Sequence, residues 1–260
     1  MGNSFLNWCQ ALEKKHLKQL AFAEVRRGLS ALSNIYVGKR HKLKHGTALD
    51  GAGKRAAFAW FYTPLHFLTV QAIIRALNFT EQKCKQIIDL GCGTGAAGAA
   101  LALEYHQQPL LLGIDNNHWA CVEARQNWQY FGLTGEVHQG NLINATRGSK
   151  GVALIVAYAA NELAANNREK LLKHLITAAQ NGARLLIIEP IAHTSVPWWS
   201  DWAKIIVSHG GRNDEWSFPL ELPERLRLLD KAAGLNHTRI KARSLALNAI
   251  TNDDKPDDLA

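Results

Sequence analysis

Asp89, Gly91, Gly93 and Gly95 stand at alternate positions in Ile87-Ile88-Asp89-Leu90-Gly91-Cys92-Gly93-Thr94-Gly95, between an apolar run and the alanine-rich stretch 96–103. An apolar strand, an acid, alternating glycines and then helix formers predict a strand–loop–helix unit. Its backbone can come close to a nucleotide-like ligand, because glycine has no Cβ and tolerates positive φ. A tight turn with no ligand is the plainer alternative, but glycines weaken a strand end unless something uses them. Two ligand registers fit. Gly93-Thr94-Gly95-Ala96-Ala97-Gly98 matches the G-x-G-x-x-G of dinucleotide sites, with Asp115 placed about 20 residues on. That register seats a pyrophosphate and puts the Asp89 carboxylate beside it, which is unfavourable. The register that starts at Asp89 passes under a ligand without phosphate, and the acid orients a cationic group, usually through water.

The second register resembles motif I of class I S-adenosylmethionine-dependent methyltransferases, in which D-L-G-C-G-T-G is a common spelling. The resemblance implies S-adenosylmethionine as cofactor, held by Asp89, Gly91, Cys92, Gly93 and Gly95. It implies that Asp115, in Leu112-Gly113-Ile114-Asp115-Asn116-Asn117, accepts both ribose hydroxyls, with Asn116 beside it. The alternative for Asp115 is a helix N-cap, a role open to Asn116 or Asn117 as well. Asn141, in Gly140-Asn141-Leu142, stands where the family usually has an acid reading the adenine amino group; its side-chain carbonyl can still pair. The Leu142 backbone would meet the adenine edge, and Tyr158 would close the cofactor site.

Methyl transfer from a sulfonium is an in-line displacement, so the acceptor must be aligned and, if a poor nucleophile, deprotonated. The stretch that should face it is Ala157-Tyr158-Ala159-Ala160-Asn161-Glu162-Leu163. It lacks the Asn-Pro-Pro-aromatic motif usual in enzymes that methylate exocyclic amines of bases. None of the four cysteines (Cys9, Cys84, Cys92, Cys121) has the Pro-Cys or Thr-Cys context of RNA cytosine-C5 enzymes. Tyr158, Asn161 and Glu162 are left as candidate catalytic residues, unless Asn161 and Glu162 simply begin the next helix. The next predicted strand ends Ile187-Ile188-Glu189-Pro190, placing Glu189 at the pocket rim.

The elements that must position these residues alternate. Strands are predicted at 86–90, 109–115, 135–141, 152–157 and 183–189, with helices at 96–105, 117–131 and 166–180. Continuous apolar strands alternating with helices argue an α/β fold with a mostly parallel, Rossmann-like sheet covered on both faces. Residues 237–249 are expected to close it as an antiparallel strand or hairpin. An N-terminal helical extension precedes the sheet, with apolar residues at helical spacing over 4–34 and an aromatic stretch over 54–78 that Pro64 starts or kinks. The expected organisation is a basic N-terminal helical region over 1–80, a methyltransferase domain over 81–250 and a disordered acidic tail over 251–260. Residues 190–235 read as an insertion holding Trp198, Trp199, Trp202 and Trp216, four of the eight tryptophans. Aromatics mixed with cations suit base stacking; a lid with its own small core is the alternative.

Charge is the second informative signal. The net charge is +8, and residues 1–60 carry eleven Lys or Arg against three acids, while the other 200 residues balance. A localised basic region fits a polyanion, with nucleic acid favoured over a merely solvated face. Lys39, Arg40, Lys42 and Lys44, with Lys54 and Arg55, are the candidate RNA-binding residues. The cysteines show no C-x-x-C pair, so reduced thiols and no metal site are expected. No signal peptide is evident, and no run of about 18 apolar residues predicts a transmembrane helix. The expectation is a cytoplasmic protein with no membrane partner.

Glu24-Val25-Arg26-Arg27-Gly28-Leu29, Leu32-Ser33-Asn34-Ile35-Tyr36, Tyr62-Thr63-Pro64, Ala160-Asn161-Glu162-Leu163 and Ile188-Glu189-Pro190 together resemble one family more closely. This is the methyltransferase-like family of the small ribosomal subunit, found in mitochondria and bacteria, and the resemblance covers about residues 20–248. It implies a partner in small-subunit ribosomal RNA or the pre-ribosomal subunit, as an RNA methyltransferase or as an assembly factor with little turnover. A small-molecule methyltransferase is a third reading, against which the basic N-terminal quarter argues. Mitochondrial members carry a four-cysteine iron–sulfur site; this sequence lacks those cysteines.

Overall fold

The structure is a computed structural model that describes residues 2–38, 49–146, 149–191 and 196–248. The chain divides into two compact units, Met1–Leu68 with Phe218–Ile240, and Thr69–Ser217 with the residues from Lys241 onward.

The second unit holds the sheet. Its strands are β1 (Gln86–Leu90), β2 (Leu110–Asp115), β3 (Gly135–Gln139), β4 (Val152–Ala157), β5 (Arg184–Pro190), β6 (Arg212–Pro219) and β7 (Arg239–Leu247). They lie in the order β3-β2-β1-β4-β5-β7-β6. The pairs around β1 are parallel, with Asp89 opposite Gly113 on one side and Ile155 on the other. β7 runs antiparallel to β5 and sets Arg243 against Glu189. The expected mostly parallel sheet with an antiparallel last strand is therefore present. Ile87, Leu90, Leu154, Ile155, Val156, Leu185, Leu186 and Ile187 are fully buried, which is why these strands read as unbroken apolar runs.

The helices of this unit follow from the same logic. Between β1 and β2 lies α5, labelled after the four helices that precede the sheet in sequence; it spans Ala96–Leu103 and is buried from Ala96 to Ala102. Small side chains let this helix lie close on the sheet. α6 (His118–Tyr130) is capped by Asn117, whose side-chain oxygen accepts the Ala120 N–H at 3.1 Å. α7 (Ala165–Gln180) buries Leu171, Leu172 and Leu175. α8 (Trp199–Ser208) buries Trp199, Trp202 and Ile206.

The run 190–235, expected as one insertion, is divided. Its first part supplies α8 and strand β6, an ordinary member of the sheet; residues from 218 belong to the first unit. Arg212-Asn213-Asp214-Glu215-Trp216-Ser217-Phe218-Pro219 alternates exposed and half-buried positions along β6. Charged residues on this outermost strand discourage pairing with another chain. The polar composition of this stretch is that of a protected edge.

The first unit is helical: α1 (Asn3–His16), α2 (Phe22–Gly38), α3 (Ala52–Ala57), a π-helical turn (Phe58–Tyr62), the start of α4 (Thr63–Ala76) and α9 (Glu224–Ala232). Phe5, Trp8 and Phe67 form an aromatic cluster with ring centroids 5.4–5.8 Å apart. Pro64 accounts for the π turn. It has no N–H for the Trp60 carbonyl, and the Thr63 N–H falls back to the Phe58 carbonyl instead. α9 joins these helices through Arg225, which pairs with Glu13 at 2.5 Å, and through the Ala233 carbonyl, which accepts the Ser30 hydroxyl at 3.1 Å. The continuous helical run Ala52–Ala76 is long and apolar enough to cross a membrane by length and composition alone, although no stretch of the sequence predicts one. A share of 61% of that window is buried in the fold.

Candidate functional site: the glycine loop and the end of strand β4

β1 delivers Asp89 to the start of α5. The side chain is fully buried, and its Oδ2 accepts the Gly98 N–H at 2.8 Å. That bond satisfies one of the four orphan donors of the helix start. Oδ1 is buried with no hydrogen-bond partner. Burial pushes the carboxyl up to about 7, opposed by the Gly98 bond and reinforced by the Asp115 charge. A buried carboxylate oxygen without a donor is costly unless a ligand supplies one.

The loop that follows needs its glycines for two separate reasons. Gly91 has φ +75°, and a Cβ there would stand 2.3 Å from the Ala159 Cβ. Gly95 has φ +79°, and a Cβ there would stand 2.6 Å from the Trp128 indole nitrogen. Around Gly93, by contrast, nothing lies within 4 Å of a hypothetical Cβ, so that side of the loop is open. Two residues of α6 hold the loop from behind. The Trp128 indole N–H donates to the Gly95 carbonyl at 2.8 Å, and the Asn127 amide donates to the Thr94 carbonyl at 2.9 Å. Neither is apparent from the sequence, where both read as ordinary helix positions. Replacing Trp128 by Phe removes the donor, worth about 1 kcal/mol, and also empties the space the larger indole fills against Gly98 and Gly113. We expect cofactor affinity, measured calorimetrically, to fall by about fivefold and Tm to fall with it.

Asp115 ends β2 and is half-buried. Its Oδ2 accepts the Gly93 N–H and its Oδ1 the Asn117 N–H, each at 2.8 Å. Desolvation raises its pKa, with the backbone bonds opposing. Because Asn117 caps α6, Asp115 is not spent as the cap. Each carboxylate oxygen keeps acceptor capacity, as two vicinal hydroxyls require. Asn116 is exposed, and its carbonyl accepts from Gln139 at 3.0 Å. Asn141 lies just beyond β3, and its side-chain oxygen accepts the Ile143 N–H at 2.9 Å, capping a 3-10 turn over Leu142–Ala145. That oxygen therefore already has a backbone donor. Leu142 packs beside Gly91. Cys92 is buried against Gly113, and burial holds its thiol well above the usual range, so it is a packing residue and a poor nucleophile.

β4 ends in a strained turn. Tyr158 has φ +61°, a left-handed conformation that costs a bulky residue roughly 1–3 kcal/mol. Its N–H donates to the Ile188 carbonyl at 2.9 Å. Its phenol hydrogen-bonds Thr69, and burial first, then the Glu189 charge, raises its pKa and keeps the proton on. Asn161 and Glu162 do not begin the next helix. They lie in a separate 3-10 turn over Ala160–Glu162, and α7 starts at Ala165. Glu189, expected at the rim, is fully buried and accepts the Asn161 N–H at 3.0 Å. Arg168 donates to the Leu163 carbonyl at 2.5 Å. Glu162 is exposed on this turn. Glycine loop and β4 turn meet where Gly91 approaches Ala159.

Residues 70–183 match the family model described as the Methyltransferase small domain. No curated protein sequence matches the chain. Among solved structures, a SAM-dependent methyltransferase from Aquifex aeolicus is 16% identical with a TM-score of 0.47, covering 70% of this chain and 92% of that one. A putative RNA methyltransferase from Pyrococcus horikoshii is 15% identical with a TM-score of 0.47, covering 72% and 85%. The magnesium protoporphyrin IX methyltransferase of Synechocystis is 14% identical with a TM-score of 0.46, covering 83% and 94%. Likenesses this weak say nothing of the acceptor.

The residues of this site fit S-adenosylmethionine. Asp89 offers a buried acceptor oxygen for the amino-acid end, Asp115 offers two oxygens for the ribose, and the open side of Gly93 leaves room between them. The bound cofactor would supply an electrophilic methyl group. Lys54 and Arg55, expected to bind RNA, lie on α3, where the Arg55 Nε donates to the Leu49 carbonyl at 3.0 Å. Lys39, Arg40, Lys42 and Lys44 lie outside the described residues, as does the tail 251–260.

Proposed function

We propose that this chain is an S-adenosylmethionine-dependent methyltransferase acting on RNA, with small-subunit ribosomal RNA or its assembling particle as the substrate. The observation that carries the methyltransferase half is the buried, unpartnered Asp89 oxygen beside the glycine loop, with Asp115 across it. The charge distribution supports the RNA half: the whole excess of +8 falls in the first sixty residues. The role of the chain's own residues is to bind the cofactor through Asp89, the loop and Asp115, and to hold the acceptor near Tyr158 and Asn161. Incubation with methyl-labelled cofactor and precursor small subunits, followed by mapping of any labelled nucleotide, tests this reading. Label in a discrete rRNA nucleotide is expected; cofactor binding with no transfer to any RNA would refute it.

One observation favours a second reading, a ribosome-assembly factor that keeps the fold and turns over little. The turn at the end of β4 offers a phenol that keeps its proton, and the buried Glu189 carboxylate there accepts the Asn161 backbone N–H rather than standing open to an acceptor's proton. In that case the protein binds the cofactor and the particle, and the mapping experiment finds no label.

A further inference from the structure

α2 and α3 cross with their backbones in contact. A Cβ on Gly28 would lie 2.2 Å from the Gly53 carbonyl oxygen and 2.9 Å from the Lys54 nitrogen, and a Cβ on Gly53 would lie 3.0 Å from the Glu24 carbonyl oxygen. Only glycine at both positions allows so close a crossing. Arg27 precedes Gly28 and Lys54 follows Gly53, so their Cα atoms fall within roughly 10 Å of one another. Arg26, Arg27 and Arg55 are exposed and Lys54 is half-buried.

The exposed side of α2 has a particular composition. Val25, Leu29 and Leu32 face the core, and the outer side carries Ala23, Glu24, Arg26, Arg27, Ala31 and Asn34. After Glu24, α2 contains no acid, and the Glu24 carboxylate is turned back to accept the Ala21 N–H at 2.8 Å. Arg26 has no acid three or four residues away in either direction, and the one acid at that spacing from Arg27 is Glu24, held on the Ala21 N–H. A face built only for solubility alternates signs at that spacing. This one presents cations among small side chains, which lets a bulky anion approach the helix closely. It also lacks the exposed Trp, Phe or Leu that a helix lying in a lipid interface buries.

We propose that the outer side of α2 bearing Arg26 and Arg27, joined across the glycine crossing by Lys54 and Arg55 of α3, is a docking surface for the phosphate backbone of structured RNA. The proposal rests on the RNA reading above and adds its location. Because these contacts are to phosphate, the surface sets affinity and orientation and reads no sequence.

The test is fluorescence anisotropy of a labelled RNA stem–loop titrated with the full chain over a series of salt concentrations. Neutralising Arg26→Gln together with Arg27→Gln removes two phosphate contacts, so the salt slope should flatten by about 2 and low-salt affinity should fall about tenfold or more. Arg26→Lys with Arg27→Lys should keep slope and affinity, and Lys204→Gln on α8 should change neither. Tm of each variant shows that the fold is intact. If wild type binds RNA and the double Gln variant keeps its slope, this surface is wrong while the RNA reading stands. If wild type binds no RNA, or binds phosphatidylserine vesicles more tightly than RNA, the RNA reading falls and the surface with it.

Discussion

Asp115→Ala should lose about a hundredfold in affinity for S-adenosylhomocysteine, measured by titration calorimetry, while remaining folded. Hydrogen bonds to a charged group contribute about 1.5–3 kcal/mol each, and the cofactor ribose would present two hydroxyls to this carboxylate. The Ala variant also releases the Gly93 and Asn117 N–H groups that Asp115 now holds at 2.8 Å. Both sit in turns with access to water, so Tm should fall only a few degrees. Asp115→Asn separates the two effects. Its one carbonyl oxygen can keep a single backbone bond but cannot accept from both hydroxyls, and its NH2 meets the other backbone N–H, so affinity should fall nearly as far and Tm should fall by no more than in the Ala variant. Unchanged affinity in the Asn variant would remove the ribose assignment. The cause would then have to be sought in loop geometry.

How much of this could be read in advance depends on how local each signal is. The glycine loop and Asp115 were legible because glycine at a strand end and an acid at the next strand end announce themselves within a few residues. The sheet was legible because β1, β4 and β5 are buried on both faces, and burial writes an unbroken apolar run. Features that depend on distant partners were not legible. Trp128 and Asn127 brace the loop from 33 residues away, and nothing in their helical spacing marks them. Glu189 looked like a rim acid because it ends a strand. Its partner is the backbone of Asn161, and the antiparallel register sets Arg243 opposite. The positive φ of Tyr158 is invisible because tyrosine is not a residue that signals a left-handed turn. β6 was missed because an edge strand carries charge where a central strand carries valine. Residues 218–240 joined the helical unit through single long-range contacts such as Arg225 to Glu13, which no periodicity encodes.

Asp89 predicts two opposite pH dependences in one protein. Its carboxyl is pushed from an ordinary value up to about 7, mainly by burial. A group whose folded pKa is raised binds more protons folded than unfolded, so its stabilising contribution is complete at low pH and is lost as pH rises toward the folded value. The cofactor-free protein should therefore lose Tm between about pH 4 and pH 7 through this residue. Cofactor binding should run the other way. The cofactor's ammonium end favours the ionised carboxylate, so affinity should rise up to about tenfold per pH unit below 7 and level off above it. Asp89→Asn keeps an oxygen for the Gly98 N–H and cannot ionise. It should flatten both profiles, bind weakly at every pH, and raise Tm at pH 8 relative to wild type. A wild-type affinity that does not change between pH 5.5 and 8 would mean that the ammonium end is held elsewhere. The buried oxygen of Asp89 would then have to be satisfied through Gly98 and a trapped water.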